Sequence, residues 1–450
     1  MNKEEDNILS TARKAAETLS GLGTRGFDVY VRGSSTTSVE VKEQRLDAYE
    51  EARTWGVGIR ALMEGGRLGF AFSTGSPEAV MDAARKAVEN AKNSEPDEHN
   101  VLPPPPGSYP GFSDFDEGIS GLREEERIAL AMALEKAALD YDPRINKVRK
   151  ASASFTEARW AIVSSTGIEA ASSGTYFSCG IMAVAEEGAD SQMGYGMDYK
   201  RRLAEVDFAG TGREAAEKAI GLLRARPAKS GLFPVVLDNL VTSDFLGVLS
   251  ASFSAEALIK GRSLLADRLG KKICSGIVNI YDDGLMPGGV ASRPFDDEGL
   301  PSRRTPLVVE GIFQNFLHSA YTAKRTGGKS TGNAVRGGFR SQPSVGGTNL
   351  YIEKGDITRA ELVASVSSGL LVQEVLGMHT ANPISGDFSV GIAGQWIEGG
   401  KVAYPVREGA ISGNILGIFS EVEAVAADLR FVGRLGAPTI LLKPISVSGS

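Results

Sequence analysis

The sequence predicts an α+β protein, and three observations carry that expectation. Glycine supplies 54 of the 450 residues, well above ordinary usage, which favours turns and close backbone approaches over long helices. Short apolar runs alternate with period two through much of the chain, the signature of half-buried strands. In the first half, runs of helical period bracket those alternating segments twice in the same order, which implies an internal duplication with antiparallel sheets.

Taken in order, Ile8, Ala12, Ala15 and Leu19 recur at helical spacing, and Gly21 and Gly23 end that helix. Four strand-like segments follow, around Phe27–Val31, Val39–Val41, Val57–Ala61 and Leu68–Phe72, with Gly65-Gly66 as the turn before the last. Ser76 and Pro77 occupy N-cap and N1 of a helix whose apolar face is Val80, Ala83, Ala84, Ala87, Val88 and Ala91. The unit reads as helix, four-strand meander, helix. Four prolines, Pro103 to Pro106, stiffen a connector. A second unit then runs from the helix at 122–139 through strands near 147–155, 158–164, 168–183 and 193–199 to a helix at 213–223, giving two stacked layers. The domain boundary is expected near 227, so residues 1–226 hold two repeats (about 1–95 and 121–226) and 227–450 form a second domain. There, a short strand at 233–237 precedes a helix-like run from Asp238 to Lys260, and many short strands with glycine turns follow. They predict a mostly antiparallel curved sheet or partial barrel with a few helices, the helices falling at 358–369 and 415–427.

The formal charge of −7 speaks against a dedicated nucleic-acid binder. No apolar run is long enough to span a membrane, and the charged N-terminus lacks the apolar region of a signal peptide; the expectation is a cytoplasmic protein. Two cysteines, Cys179 and Cys274, make neither a disulfide framework nor a four-cysteine metal site.

One stretch is richer in chemistry than the rest. Residues 323–349 hold seven glycines, five basic residues and no acidic one, with Phe339 and Pro343 as anchors, and read as a long functional loop. Its Ala323-Lys324-Arg325-Thr326-Gly327-Gly328-Lys329-Ser330 is a relaxed P-loop match, but the glycines after it cannot open the helix that cradles phosphate. The three histidines, His99, His318 and His379, include no i, i+4 pair, and there is no Gly-x-Ser-x-Gly elbow. Asp282-Asp283-Gly284 and Asp296-Asp297-Glu298-Gly299 read as turns that also pin the basic loop through Arg303, Arg304 or Arg336.

Lys260-Gly261, Tyr281-Asp282-Asp283-Gly284, Asp296-Asp297-Glu298-Gly299, Thr331-Gly332-Asn333 and Gly347-Thr348-Asn349, in this order, together with Gly56-Val57-Gly58-Ile59-Arg60, resemble the TldD/PmbA family, also called modulators of DNA gyrase. That family pairs a zinc peptidase bearing His-Glu-x-x-x-His and a distant cysteine with a related subunit, PmbA or TldE, that lacks these ligands. Matched backward from Lys260-Gly261, the histidine positions fall at Leu246 and Ala251 and the glutamate position at Gly247, and the stretch just before Gly436-Ala437-Pro438 holds no cysteine. The resemblance therefore implies a PmbA/TldE-like subunit with no metal of its own and no catalytic residue, zinc residing in a TldD-like partner. On that reading the loop lines the substrate path for a small or unfolded peptide, Gly332, Asn333, Gly337 and Gly338 letting backbones approach closely and Arg336 and Arg340 meeting peptide carbonyls or carboxylates. A peptide-binding adaptor acting as a homodimer is the alternative reading, and direct gyrase regulation gains nothing from charge or motif.

Overall fold

The computed structural model describes residues 3–112 and 114–449. The N-terminal half contains α1 (Lys3–Ser20), β1 (Gly26–Lys42), β2 (Arg45–Leu62), β3 (Leu68–Ser73), α2 (Pro77–Lys92), α3 (Glu124–Leu139), β4 (Ile145–Ser164), β5 (Glu169–Glu187), β6 (Asp190–Lys200) and α4 (Phe208–Gly221). The duplication holds as an order of elements, and two details of the expectation are corrected. Each repeat has three strands rather than four, and the six strands make one antiparallel sheet, β3-β2-β1-β4-β5-β6, rather than two stacked layers. The polar run Ser34–Ser38 reads as a break between strands, yet it stays in β1. Its hydroxyls are satisfied across the sheet, Ser34 with Thr54 at 2.7 Å and Thr36 with Thr156 at 2.9 Å.

Period-two alternation decides what each face of this sheet covers. Val29 and Val31 of β1, Val57 and Ile59 of β2 and Ala161 and Val163 of β4 point toward α1 and α2. Farther along the same strands, Val39, Val41, Ala151, Ala153 and Phe155 pack with α3 and α4. Ser76 caps α2 and Pro77 opens it, as expected from the sequence. The alternate residues Asp28, Tyr30, Gly56, Gly58, Arg60, Trp160 and Ile162 face away from the helices and are covered by loops of the second domain.

The C-terminal half begins with β7 (Arg226–Pro227), β8 (Gly231–Leu237), α5 (Asn239–Ser250) and α6 (Ala255–Ile259). It continues through β9 (Ile280–Asp283), β10 (Arg304–Val309), β11 (Ile312–Phe313), α7 (Ala320–Thr326), β12 (Ala334–Val335), β13 (Ser344–Val345) and β14 (Asn349–Ile352). Then come α8 (Arg359–Ala364), β15 (Ser368–Leu376), β16 (Asp387–Glu398), β17 (Lys401–Asn414), α9 (Ile415–Ser420), β18 (Val422–Val425), β19 (Arg430–Val432), β20 (Leu435–Ala437) and β21 (Ile440–Ser448). Strands β21, β8, β15, β16 and β17 pair in that order, and β17 returns to β21 through Ala410–Ser448 and Ile411–Val447, closing a small barrel. A second sheet runs β11-β10-β9-β14-β20-β19. The core between them gathers Phe245, Phe253, Phe313, Phe388, Trp396 and Phe419. The helix expected from Asp238 to Lys260 is broken at Ser254, which is extended (ψ 124°) and caps α6 through the Glu256 N–H at 3.2 Å. Likewise the segments expected as helices at 358–369 and 415–427 yield short helices followed by β15 and β18.

The two halves meet where β2 offers a shelf without side chains. A Cβ on Gly56 would lie 2.4 Å from the Phe339 ring, and one on Gly58 would lie 2.3 Å from the Phe339 carbonyl oxygen. Gly58→Val should therefore unseat residues 337–340 and cost about 1–3 kcal/mol of stability. Denaturant melts together with limited proteolysis at this loop check it; an unchanged midpoint and an uncut loop would refute the shelf.

Candidate functional site

Beside the Phe339 shelf lies a buried ion network that joins the halves. Asp28 (β1) pairs with Arg60 (β2), whose Nε donates to Asp28 Oδ2 at 2.8 Å and whose Nη1 donates to Glu298 Oε1 at 3.1 Å. Arg336 donates through Nη2 to Asp28 Oδ1 at 3.0 Å and through Nε to the Asp297 carbonyl at 3.1 Å. Glu298 also accepts the Ala320 N–H at the start of α7 at 2.8 Å, and Asp296 accepts the N–H groups of Glu298, Leu300 and Ala334. Burial alone would raise the Asp28 carboxyl, but Arg60 and Arg336 hold it below the usual carboxylate range. Asp296 moves the other way, pushed up to about 7 by burial and then by the charge of Glu298. The acidic turns do pin the basic stretch, as the sequence suggests. The partner is Arg336, while Arg304 pairs with Glu353 instead.

The stretch 323–349 is less irregular than its composition implies, because α7 and the β12–β13 pair lie in or overlap it. Asn333 is buried, donating to Asp282 Oδ2 at 2.6 Å, and Asp282 also accepts the N–H and hydroxyl of Thr348. Gly332 (φ +76°) sits where a Cβ would lie 2.4 Å from the Pro301 carbonyl oxygen. Arg336 does not stand open for a peptide, since Asp28 already balances its charge. Gly337, Gly338 and Arg340 reach the surface side, with the Arg340 guanidinium 5.4 Å from the Phe339 ring and 5.8 Å from that of Phe72.

A different region carries an apolar recess. Helix α5 borders a cavity of about 260 Å³ shared by the two halves. Met193, Tyr195 and Met197 of β6 wall it on one side, and Leu240, Asp244 and Leu435 on the other. None of the six residues expected to meet substrate lines it. Leu240, Asp244, Gly247 and Ala251 share one side of the helical turn by their spacing, and a Cβ on Gly247 would lie 3.3 Å from Leu435. The segment ahead of Gly436-Ala437-Pro438 is thus against the helix position matched to the glutamate. Leu246 is wholly buried. The cavity's polar groups are few. Asp244 lines it and is exposed as a residue, yet partial desolvation pushes its carboxyl up to about 6, and Glu374 is raised by burial against the opposing Lys218. Lys218 is itself held by Glu214 at 2.6 Å, and Glu214 grips Arg430 with two bonds of 2.7 Å, tying α4 to β19. The Ser243 hydroxyl is buried without a partner.

Sequence reasoning passed over Asp28, Arg60 and Asp244 as site residues. The signal was a charged residue inside an apolar alternation: Asp28 and Arg32 share the period-two face opposite Val29 and Val31. Asp244 likewise interrupts the apolar run Leu240–Leu249. The cysteines lie elsewhere in the cores, with Cys179 pushed up to about 11 and Cys274 to about 12 by burial. Among the described residues no three His, Cys, Asp or Glu side chains gather to hold a metal, and no helix is long and apolar enough to cross a membrane.

Comparison with known proteins agrees along the length of the chain. Models for domain 1, the central domain and the C-terminal domain of the PmbA/TldA metallopeptidases match residues 27–91, 118–223 and 230–449. Metalloprotease PmbA of Escherichia coli O157:H7 is 27% identical over 98% of this chain and 96% of its own. A metalloprotease of Methanothermobacter thermautotrophicus is 30% identical over 91% of this chain and 90% of its own. A Thermotoga maritima crystal structure, described as a proposed modulator of DNA gyrase, superposes with a TM-score of 0.89 at 26% identity, covering 98% of this chain and 99% of that one. TldE of Thermococcus kodakarensis shares the fold, with a TM-score of 0.88 at 24% identity over 98% of this chain and 99% of that one.

Two predictions follow from this geometry. Asp28→Asn leaves Arg60 and Arg336 without their shared anion and should cost about 3–5 kcal/mol, read as a drop in the urea midpoint; a shift within error would show that the network contributes nothing. A carboxyl raised in the folded state keeps a proton that the unfolded chain has released, so Asp244 lowers stability as pH rises from about 4 to about 6. A carbon-13 NMR titration should place its midpoint near 6, and Asp244→Asn should flatten that part of the stability profile; a midpoint at the ordinary aspartate value would contradict the partial desolvation.

Proposed function

The chain belongs to the PmbA/TldD metallopeptidase family, and on that premise we propose that it is the PmbA/TldE-like subunit of a two-chain peptidase acting on small or unfolded peptides. In this reading it works in the cytoplasm and shapes the substrate path while a TldD-like partner supplies zinc. The observation that carries the proposal is the donor set along α5. Zinc in a peptidase needs imidazole, thiolate or carboxylate ligands in tetrahedral array and a base beside its water. The face formed by Leu240, Asp244, Gly247 and Ala251, with Leu435 against it, offers one carboxylate. That set does not fit zinc, so no hydrolytic step is assigned to this chain.

What remains is positioning. An extended peptide lying along an apolar, largely uncharged cleft is held by backbone hydrogen bonds and side-chain contact, with little sequence demand. Met193, Tyr195 and Leu435 supply such contact, and the Glu214–Arg430 pair keeps the two walls of the recess together.

Mixing the purified chain with a TldD-type partner should yield a complex on size exclusion and cleavage of an unstructured peptide that neither chain achieves alone. Tyr195→Asp, which places charge in the recess, should lower kcat/KM at least about tenfold without dissociating the complex. Partner activity that never depends on this chain would remove the proposal. A homodimer that binds peptide and ignores the partner would favour the adaptor reading.

A further inference from the structure

A second pocket, of about 180 Å³, is walled by both halves of the chain. Arg32 and Trp160 stand directly opposite each other on β1 and β4, and the second domain contributes Arg293, Arg336 and Arg434. The single acidic side chain on this wall is Asp297. Its carboxylate takes Arg293 at 3.0 Å, and Asp28 behind the wall takes Arg336. That leaves two guanidinium groups, Arg32 and Arg434, with no carboxylate within 4.0 Å among the described residues. Hydrogen-bond acceptors are short as well: the indole N–H of Trp160, Nε of Arg293 and Nη1 of Arg336 are buried beside the pocket with no acceptor.

Arg32 feels the charge of Asp297 and the hydroxyl of Tyr30, and Arg434 is exposed to solvent, yet guanidinium groups outnumber carboxylates on this wall. That excess, with the spare N–H donors, favours a ligand that only accepts hydrogen bonds. Water satisfies such donors one at a time, whereas an oxyanion satisfies several and balances the charge. The volume suits one carboxylate or phosphate group with a short stem. Tyr176, on the same wall, adds an aromatic flank. None of this depends on a partner subunit or on peptide cleavage.

We propose that this junction pocket is an oxyanion-binding site in which Arg32 and Arg434 clasp a single carboxylate or phosphate group. The anion arrives either on a peptide, as its terminal carboxylate, or free in solution. Isothermal titration calorimetry on the full chain separates the sources, using inorganic phosphate, N-acetyl-trialanine with a free carboxylate, and the same peptide as its amide. Peptide acid binding more tightly than the amide identifies a peptide terminus; phosphate binding with acid and amide equal identifies a free anion. In either case Arg32→Gln should weaken binding about tenfold or more, Arg32→Lys should restore part of it, and Trp160→Phe, which keeps an aromatic ring and removes the N–H, should weaken it about threefold. Trp160→Phe removes buried indole volume and should melt a few degrees lower, but its circular dichroism at the assay temperature should match the parent, which keeps the test valid if Arg32→Gln folds poorly. No heat from either anion at millimolar concentration, or binding that Trp160→Phe and Arg32→Gln leave unchanged, would overturn the site.

Discussion

The arrangement depends on Asp28 holding two arginines at once. One, Arg60, comes from the neighbouring strand of its own sheet; the other, Arg336, comes from a loop 308 residues away in sequence. Desolvating these charges is costly, and the network persists because its carboxylates are held by further bonds, Glu298 to the start of α7 and Asp297 to the Arg336 backbone. Such a junction tolerates little sliding, since displacement strands a buried charge. It therefore fixes how the second domain lies on the helix-free face of the first sheet, and with it the walls of both cavities.

That constraint explains why the family-like motifs fall where they do. Gly56-Val57-Gly58-Ile59-Arg60 is a two-faced strand: Val57 and Ile59 enter the helix-side core, while Gly56 and Gly58 vacate space for Phe339 and Arg60 reaches Glu298. Asp296-Asp297-Glu298-Gly299 is the complementary turn, and Gly299 (φ +83°) presses onto Ile168. Thr331-Gly332-Asn333 and Gly347-Thr348-Asn349 lock to Asp282 and its neighbours, so glycine and short polar side chains serve close backbone approach there. These residues build the junction beside the recess. Their buried bonding does not leave Asn333 or Arg336 standing open to a substrate.

Much of the fold was legible because periodicity reports burial. The α1 and α2 faces, the cap at Ser76-Pro77, the repeated order of elements and the β-rich second half all follow from local pattern. Strand continuity was not, because Ser34–Ser38 looks like a loop until Thr54 and Thr156 satisfy its hydroxyls from neighbouring strands. The break at Ser254 was hidden for the related reason that capping depends on a serine's own backbone angles. As for the site, the sequence placed substrate contacts on residues 332–340, which do not line the α5 recess, while the helix matched to the catalytic one, α5, does border it. It gave no hint that α5 would share a cavity with β6 and α4, since that arrangement is set by tertiary docking.

The account rests on α5 keeping its place beside a cleft while presenting no ligand set for zinc. Elemental analysis of the purified chain, alone and in complex with its proposed partner, addresses this most directly. The account predicts no stoichiometric zinc in the isolated chain and zinc in the complex that tracks the partner's concentration. One zinc bound per isolated chain, retained after dialysis, would contradict it.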